Sequence, residues 1–204
     1  MTILLDAIAV KRLGTLPYGQ ALQAMREFTS GRTDATADEI WLVEHPPVYT
    51  LGQGATSSLK EASPVPVLAS DRGGEITYHG PGQAVLYTLV DLARRRITVK
   101  RFVWLLEQVV IDLVGTRAER RPGAPGVYVG GAKPAALGIR VKRGRAYHGL
   151  AINVDMDLAP FAAIDPCGYP GLQVTQLRDL GFTEDAFQVG DQLARILVQR
   201  LDHA

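Results

Sequence analysis

One cysteine stands in the sequence, at position 167, within Asp165-Pro166-Cys167-Gly168-Tyr169-Pro170-Gly171. A lone cysteine usually serves as a small buried apolar residue. Here two prolines and two glycines surround it. Such irregular backbone suits the presentation of a reactive group better than core packing. To act as a nucleophile, the thiol needs a positive neighbour or a helix N-terminus that lowers its pKa from about 8.5.

A second stretch with chemical potential is Arg72, Gly73, Gly74, Glu75, Ile76, Thr77, Tyr78 and His79, followed by Gly80-Pro81-Gly82-Gln83. Read as a strand, it sends Glu75, Thr77 and His79 one way and Ile76 and Tyr78 the other. The flanking glycines let a ligand approach the backbone closely. The spacing is not that of a dinucleotide loop, and no helix follows directly. His79 is either a satisfied residue of a polar hairpin or part of a site. A third stretch, residues 135–154, reads as a β-hairpin around Lys142-Arg143-Gly144-Arg145. A turn centred on Arg143-Gly144 sets Gly138 opposite Gly149, which would leave a slot for an unbranched apolar chain. A slip of one residue would undo this. Lys133 precedes the hairpin, as a surface lysine or as one reaching a site at its end. His79, His148 and Cys167 have none of the usual metal-ligand spacings, so no metal is expected.

The elements that must position these residues follow from periodicity and punctuation. Residues 17–29 predict a helix, with Tyr18, Leu22, Met25 and Phe28 at helical spacing. Residues 40–44 and 48–51 predict strands around Pro46-Pro47, with a further short strand at 65–68. Strands follow at 75–79 and 84–92, broken by Gly80-Pro81-Gly82. Thr98 is a good N-cap for a helix whose stripe is Val99, Phe102, Val103, Leu106, Val109, Val110 and Leu113, closed by Gly115. Residues 120–126 read as a Pro/Gly-rich loop, 126–129 as a strand, 157–171 as mostly loop, and 183–201 as containing a last helix. Strands and helices do not alternate, so a doubly wound nucleotide fold is disfavoured. An α+β domain over residues 1–204 is expected, with one mixed or antiparallel main sheet flanked by helices.

Bulk composition narrows the class. The 204 residues are 47% hydrophobic and 21% charged, with a formal net charge of +1. That is an ordinary globular composition without the basic excess of a nucleic-acid binder. Arg94-Arg95-Arg96, Arg117 with Arg120-Arg121, and Lys142-Arg143 with Arg145 form local basic clusters. Each is a solvated face or a landing surface for an acidic partner. One cysteine permits no internal disulfide. Residues 1–13 have no basic leader or cleavage site, and no stretch is long and apolar enough to span a bilayer. A cytoplasmic protein without membrane partners is expected.

Residues 44–52, 72–83, 126–141, 147–154 and 166–168 together closely resemble the lipoyl(octanoyl) transferase family, in the family's order. The resemblance implies the fold of biotin and lipoate protein ligases. It implies that Cys167 carries an acyl thioester and that Lys133 lowers its pKa. Acyl-binding positions fall on Arg72 through His79, on Ala136, Leu137 and Gly138, and on Gly149, Leu150 and Ala151, with His148 beside them. The implied donor is octanoyl-acyl carrier protein. The implied acceptors are lipoyl domains of 2-oxoacid dehydrogenases and the glycine cleavage H protein. The reaction would be the first step of protein lipoylation and would need no cofactor. Lys133, His79 and His148 are candidates for the base of the second step. Pro134 departs from the family's usual aliphatic residue and pushes Lys133 toward extended backbone. Tyr128 stands where the family often has Trp. The alternative on the same fold is an ATP-dependent lipoate or biotin protein ligase. A Cys–His hydrolase and a silent acyl-binding protein are further alternatives.

Overall fold

The computed structural model describes residues 2–5, 8–56, 59–60, 62–165 and 168–203, with backbone alone at 2–5. Its strands are β1 (Thr2–Leu5), β2 (Ile8–Thr15), β3 (Asp38–Glu44), β4 (Val48–Leu51), β5 (Val67–Ala69), β6 (Ile76–His79), β7 (Gln83–Asp91), β8 (Ala118–Arg121), β9 (Ala124–Val129), β10 (Ala132–Lys142) and β11 (Arg145–Asn153). The helices are α1 (Tyr18–Gly31), α2 (Leu92–Arg95), α3 (Val99–Val114) and α4 (Ala186–Asp202).

Eight strands form the main sheet in the order β1-β2-β3-β7-β11-β10-β9-β8. Only the β2–β3 pairing is parallel. β7 sits near the middle and is buried along its whole length, so it reads as a continuous apolar run. On one face, α3 and α4 pack Phe102, Leu106, Val110, Leu193 and Leu197 against Ile40, Leu86 and Ile152. On the other, α1 buries Tyr18, Leu22 and Met25 against Trp41, Val85 and Tyr87. A small sheet, β5-β4-β6, carries its own cluster of Tyr49, Ile76, Tyr78 and Phe161. This is the α+β arrangement the element order implied.

The caps behave as their chemistry requires. The Thr98 hydroxyl accepts from Arg101 N–H, and Gly115 closes α3 on Ile111 O. At α4, Asp185 and Gln188 form a capping box.

Three expectations are corrected. Residues 120–126 are not a loop, because β8 and β9 pair across a tight turn at Pro122-Gly123. β1 and β2 were not foreseen. β2 is short of clean alternation: Ile8, Ala9 and Val10 are buried in succession. In α3 the buried arc is rotated: Leu105 and Val114 enter the core, whereas Val99 is 47% exposed and Val103 is half-buried. In the basic clusters Arg96, Arg117, Lys142 and Arg143 stay exposed, whereas others pair with carboxylates of the fold. Arg94 and Arg95 each lie 2.6 Å from a carboxylate oxygen of Asp38, Arg120 is 3.0 Å from Glu107, and Arg145 is 3.3 Å from Asp91. Among the described residues, no helix is long and apolar enough to cross a membrane.

Candidate active site

β10 and β11 form the predicted hairpin. Arg143 and Gly144 have φ of 52° and 78°, the double left-handed turn that matches strand twist. This register pairs Gly138 with Gly149, Ala136 with Ala151 and Leu137 with Leu150. Among the described residues, β9 pairs with β10 no further than Ala135. The 72–74 turn docks there, with Gly73 N–H donating to Ile139 O at 3.0 Å. A Cβ on Gly138 would come 2.8 Å from Gly73 O and 3.2 Å from Arg72 Cδ. The glycine therefore admits the turn. The slot expected over the glycine pair is partly filled by this close approach, and the open space lies beside it.

That space is a cavity of about 310 Å³. Its lining includes Arg72, Gly73, Gly74, Glu75, Ile76, Thr77, His79, Ala136, Leu137, Gly138, His148, Gly149, Leu150 and Ala151. Three separate stretches of sequence thus meet at one surface. Tyr78 is not on that surface; it packs with Tyr49 and Phe161, on the opposite side of β6 from Thr77 and His79. Sequence reasoning missed other lining groups: Tyr18, Val85, Tyr87, Val103, Gly123, Pro125 and Tyr169.

Arg72 is buried and locked to β4, with Nη2 donating 2.6 Å to Thr50 O and 2.8 Å to Thr50 Oγ1. Glu75 accepts from Thr56 N–H at 2.9 Å. His79 Nδ1 lies 2.7 Å from Gln83 Oε1. The Gln83 amide donates to Asn153 Oδ1 at 2.9 Å, so its oxygen faces His79 and the ring donates from Nδ1. His79 Nε2 is then a buried acceptor without a partner among the described residues. Burial, followed by the neighbouring His45, pushes the His79 pKa down to about 3.

His148 has a left-handed φ of 62° where the β11–β7 ladder opens. That turn brings its Nε2 2.8 Å from Asp71 Oδ1. Burial lowers the His148 pKa, although Asp71 opposes the shift. Burial works against the Asp71 charge, but hydrogen bonds from His148, Tyr147 and Arg26 outweigh it and hold the carboxyl well below its usual range.

Lys133 is 3% exposed. Its Nζ donates to Pro125 O at 2.8 Å and lies 5.2 Å from the Tyr128 ring centre. Lys133 N–H donates to Gln173 O at 2.9 Å, and Lys133 O accepts from Thr175 N–H at 3.3 Å. Pro134 falls within the register shift between Ala132 and Ala135, where β10 and β9 are not in continuous ladder. A missing N–H is tolerated there, and Lys133 takes the extended backbone that the proline favours.

Pro166 and Cys167 lie outside the described residues. Their flanks are described. A Cβ on Gly168 would stand 3.2 Å from Glu75 Cγ, and Tyr169 lines the cavity with its hydroxyl donating to Gly123 O at 3.2 Å. Asp165 pairs with Lys60 at 2.7 Å. Among the described residues no group of three or more His, Cys, Asp or Glu could hold a metal ion.

Comparison with known proteins settles the lineage. The family model for the lipoyl protein ligase A/B catalytic domain matches residues 17–197. An octanoyltransferase of Dechloromonas aromatica is 55% identical over 95% of this chain and 96% of its own length. One from Pseudomonas entomophila is 51% identical over 97% and 94%. This chain belongs to the lipoyl(octanoyl) transferase family. It is an enzyme of that family, and the three stretches at the cavity are among the five that carried the sequence resemblance. The fold extends further. A bipartite lipoate protein ligase from Thermoplasma acidophilum superposes with a TM-score of 0.72 at 15% identity, over 95% of this chain and 83% of that one. A biotin protein ligase from Aquifex aeolicus, in complex with biotin and ATP, gives 0.57 at 10% identity, over 97% and 71%.

Proposed function

We propose that this chain, as one catalytic domain over residues 1–204, is a cytoplasmic octanoyltransferase. It moves an octanoyl group from octanoyl-acyl carrier protein to a lysine of a lipoyl domain, through a thioester on Cys167. The acceptors are lipoyl domains of 2-oxoacid dehydrogenases and the glycine cleavage H protein. The observation that carries this reading is the convergence on one cavity. Arg72 to Thr77, Ala136 to Gly138 and Gly149 to Ala151 line it, Tyr169 of the cysteine loop stands on it, and Pro125, the acceptor for Lys133, completes it.

The octanoyl chain lies against Leu137, Leu150 and Val85, gaining about 0.8 kcal/mol per buried methylene. The Cys167 thiolate attacks the thioester carbonyl, and the new carbon–sulfur bond replaces the bond to the carrier's sulfur. The departing thiolate takes a proton from Lys133, giving the free carrier thiol. In the second step the neutral amine of the target lysine attacks the acyl-enzyme. Its proton passes to Lys133, the bond to Cys167 breaks, and the thiolate returns as the amide leaves. A thioester becomes an amide, so no ATP or cofactor is consumed. Burial disfavours protonation of both His79 and His148, which supports Lys133 over either ring as the base.

Intact-mass measurement after incubation with octanoyl-carrier protein tests this. Wild type gains one octanoyl unit that a lipoyl domain discharges, and Cys167→Ser does not. Transfer only with ATP and free octanoate, without any adduct, overturns the reading in favour of a ligase.

A further inference from the structure

Glu107 is a carboxylate inside the buried arc of α3, 8% exposed. One of its oxygens pairs with Arg120 Nε at 3.0 Å, and Arg120 lies over the Trp104 ring at 4.5 Å. The other oxygen accepts from Gly126 N–H at 3.0 Å. The Lys133 ammonium donates to Pro125 O at 2.8 Å. Pro125 C=O and Gly126 N–H are the two ends of a single peptide group. A carboxylate on one end and an ammonium on the other are therefore joined through one amide plane.

This arrangement has two physical consequences. A charged acceptor on the N–H polarises the amide, so its carbonyl oxygen becomes a stronger acceptor for Lys133. The trans peptide is planar and stiff, so holding the N–H end also fixes the carbonyl end in place. Space at the joint is tight. A Cβ on Gly126 would fall 2.3 Å from Lys133 Cε and 2.6 Å from Nζ, at a φ of 137°. Glycine lets the lysine lie directly on this peptide.

We propose that Glu107 is a positioning residue for Lys133, acting through the Pro125–Gly126 peptide. The inference rests on the Cys167–Lys133 reading above. Glu107 does not touch substrate; it fixes the direction of the Lys133 side chain.

The test is the pH dependence of Cys167 alkylation by iodoacetamide, in wild type, Glu107→Gln, Glu107→Ala and Lys133→Ala, with thermal melts as a check on folding. Lys133→Ala moves the midpoint upward. Glu107→Ala moves it the same way by about half a unit or more. Glu107→Gln, which keeps an acceptor for Gly126 N–H, recovers much of that shift. Combining Glu107→Ala with Lys133→Ala adds little to Lys133→Ala alone. A folded Glu107→Ala with the wild-type profile, while Lys133→Ala is shifted, overturns the role of Glu107 alone. If the alanine variant does not fold, Glu107→Met, which fills the same space without an acceptor for Gly126 N–H, takes its place, and a wild-type profile there does the same. A wild-type profile in Lys133→Ala overturns the cysteine–lysine pairing, and the role of Glu107 falls with it.

Discussion

Gly138 and Gly149 are direct cross-strand partners, and neither has room for a side chain. A methyl on Gly149 would lie 2.1 Å from Leu86 O, inside the sheet. Gly149→Ala is expected to destabilise the fold by about 2 kcal/mol, within the usual range for overpacking. Gly138→Ala meets Gly73 O at 2.8 Å, a milder clash that costs less stability, but it pushes the 72–74 turn into the cavity. Urea unfolding separates the first effect, and octanoyl adduct formation the second. Equal stability of Gly149→Ala and wild type would contradict the packing.

Lys133 is buried on Pro125 O, beside the segment that follows the cysteine loop. Lys133→Met keeps the stem and removes the ammonium. Transfer is expected to fall by about 10²–10⁴-fold, the span of general acid–base catalysis. A single-turnover assay with octanoyl-carrier protein measures it. Retention of more than a tenth of the rate would remove Lys133 from the chemistry.

Val103 comes to the cavity from α3, whereas Tyr78 faces away from it. Val103→Phe is expected to shift the acyl preference from eight carbons toward six, at roughly 0.8 kcal/mol per excluded methylene. Tyr78→Phe leaves the preference where it is. Competition between hexanoyl and octanoyl donors reads both variants. An unchanged ratio for Val103→Phe would mean the chain does not reach that wall.

The buried histidines make stability depend on pH from about 6.5 downward. The folded pKa of His79 is pushed down to about 3 from an ordinary 6.5, first by burial. Between those values the unfolded chain binds more protons than the folded one. Stability is therefore complete above about pH 6.5 and falls as pH drops toward 3, at up to about 1.4 kcal/mol per pH unit for each such histidine. His79→Gln should flatten the slope of urea stability between pH 7 and 4.5. A slope equal to that of wild type would show that His79 does not titrate with unfolding.

Local chemistry made much of this molecule legible. Thr98 and Gly115 bracket α3 as cap residues do, and Arg143-Gly144 dictates both the turn and the pairing of Gly138 with Gly149. Period-two alternation separated Thr77 and His79 from Tyr78. These readings depend on interactions within a few residues or across one tight turn, where sequence spacing and distance in space agree.

Other features were set by contacts between distant segments. β2 needed β3 as a template and β1 needed β2, and residues 120–126 became ordered only as the β8–β9 hairpin. The buried arc of α3 was chosen by what packs on it, which left Val103 on the cavity and Glu107 beneath Gly126. Asp71 acquired its role from His148, 77 residues away, through a left-handed kink that no propensity predicts. The sequence by itself determined the long helices, the caps of α3, the hairpin register and the family. Tertiary structure decided which charges are buried and what they hold, because burial and long-range hydrogen bonds exist only once the sheet and helices have closed around them.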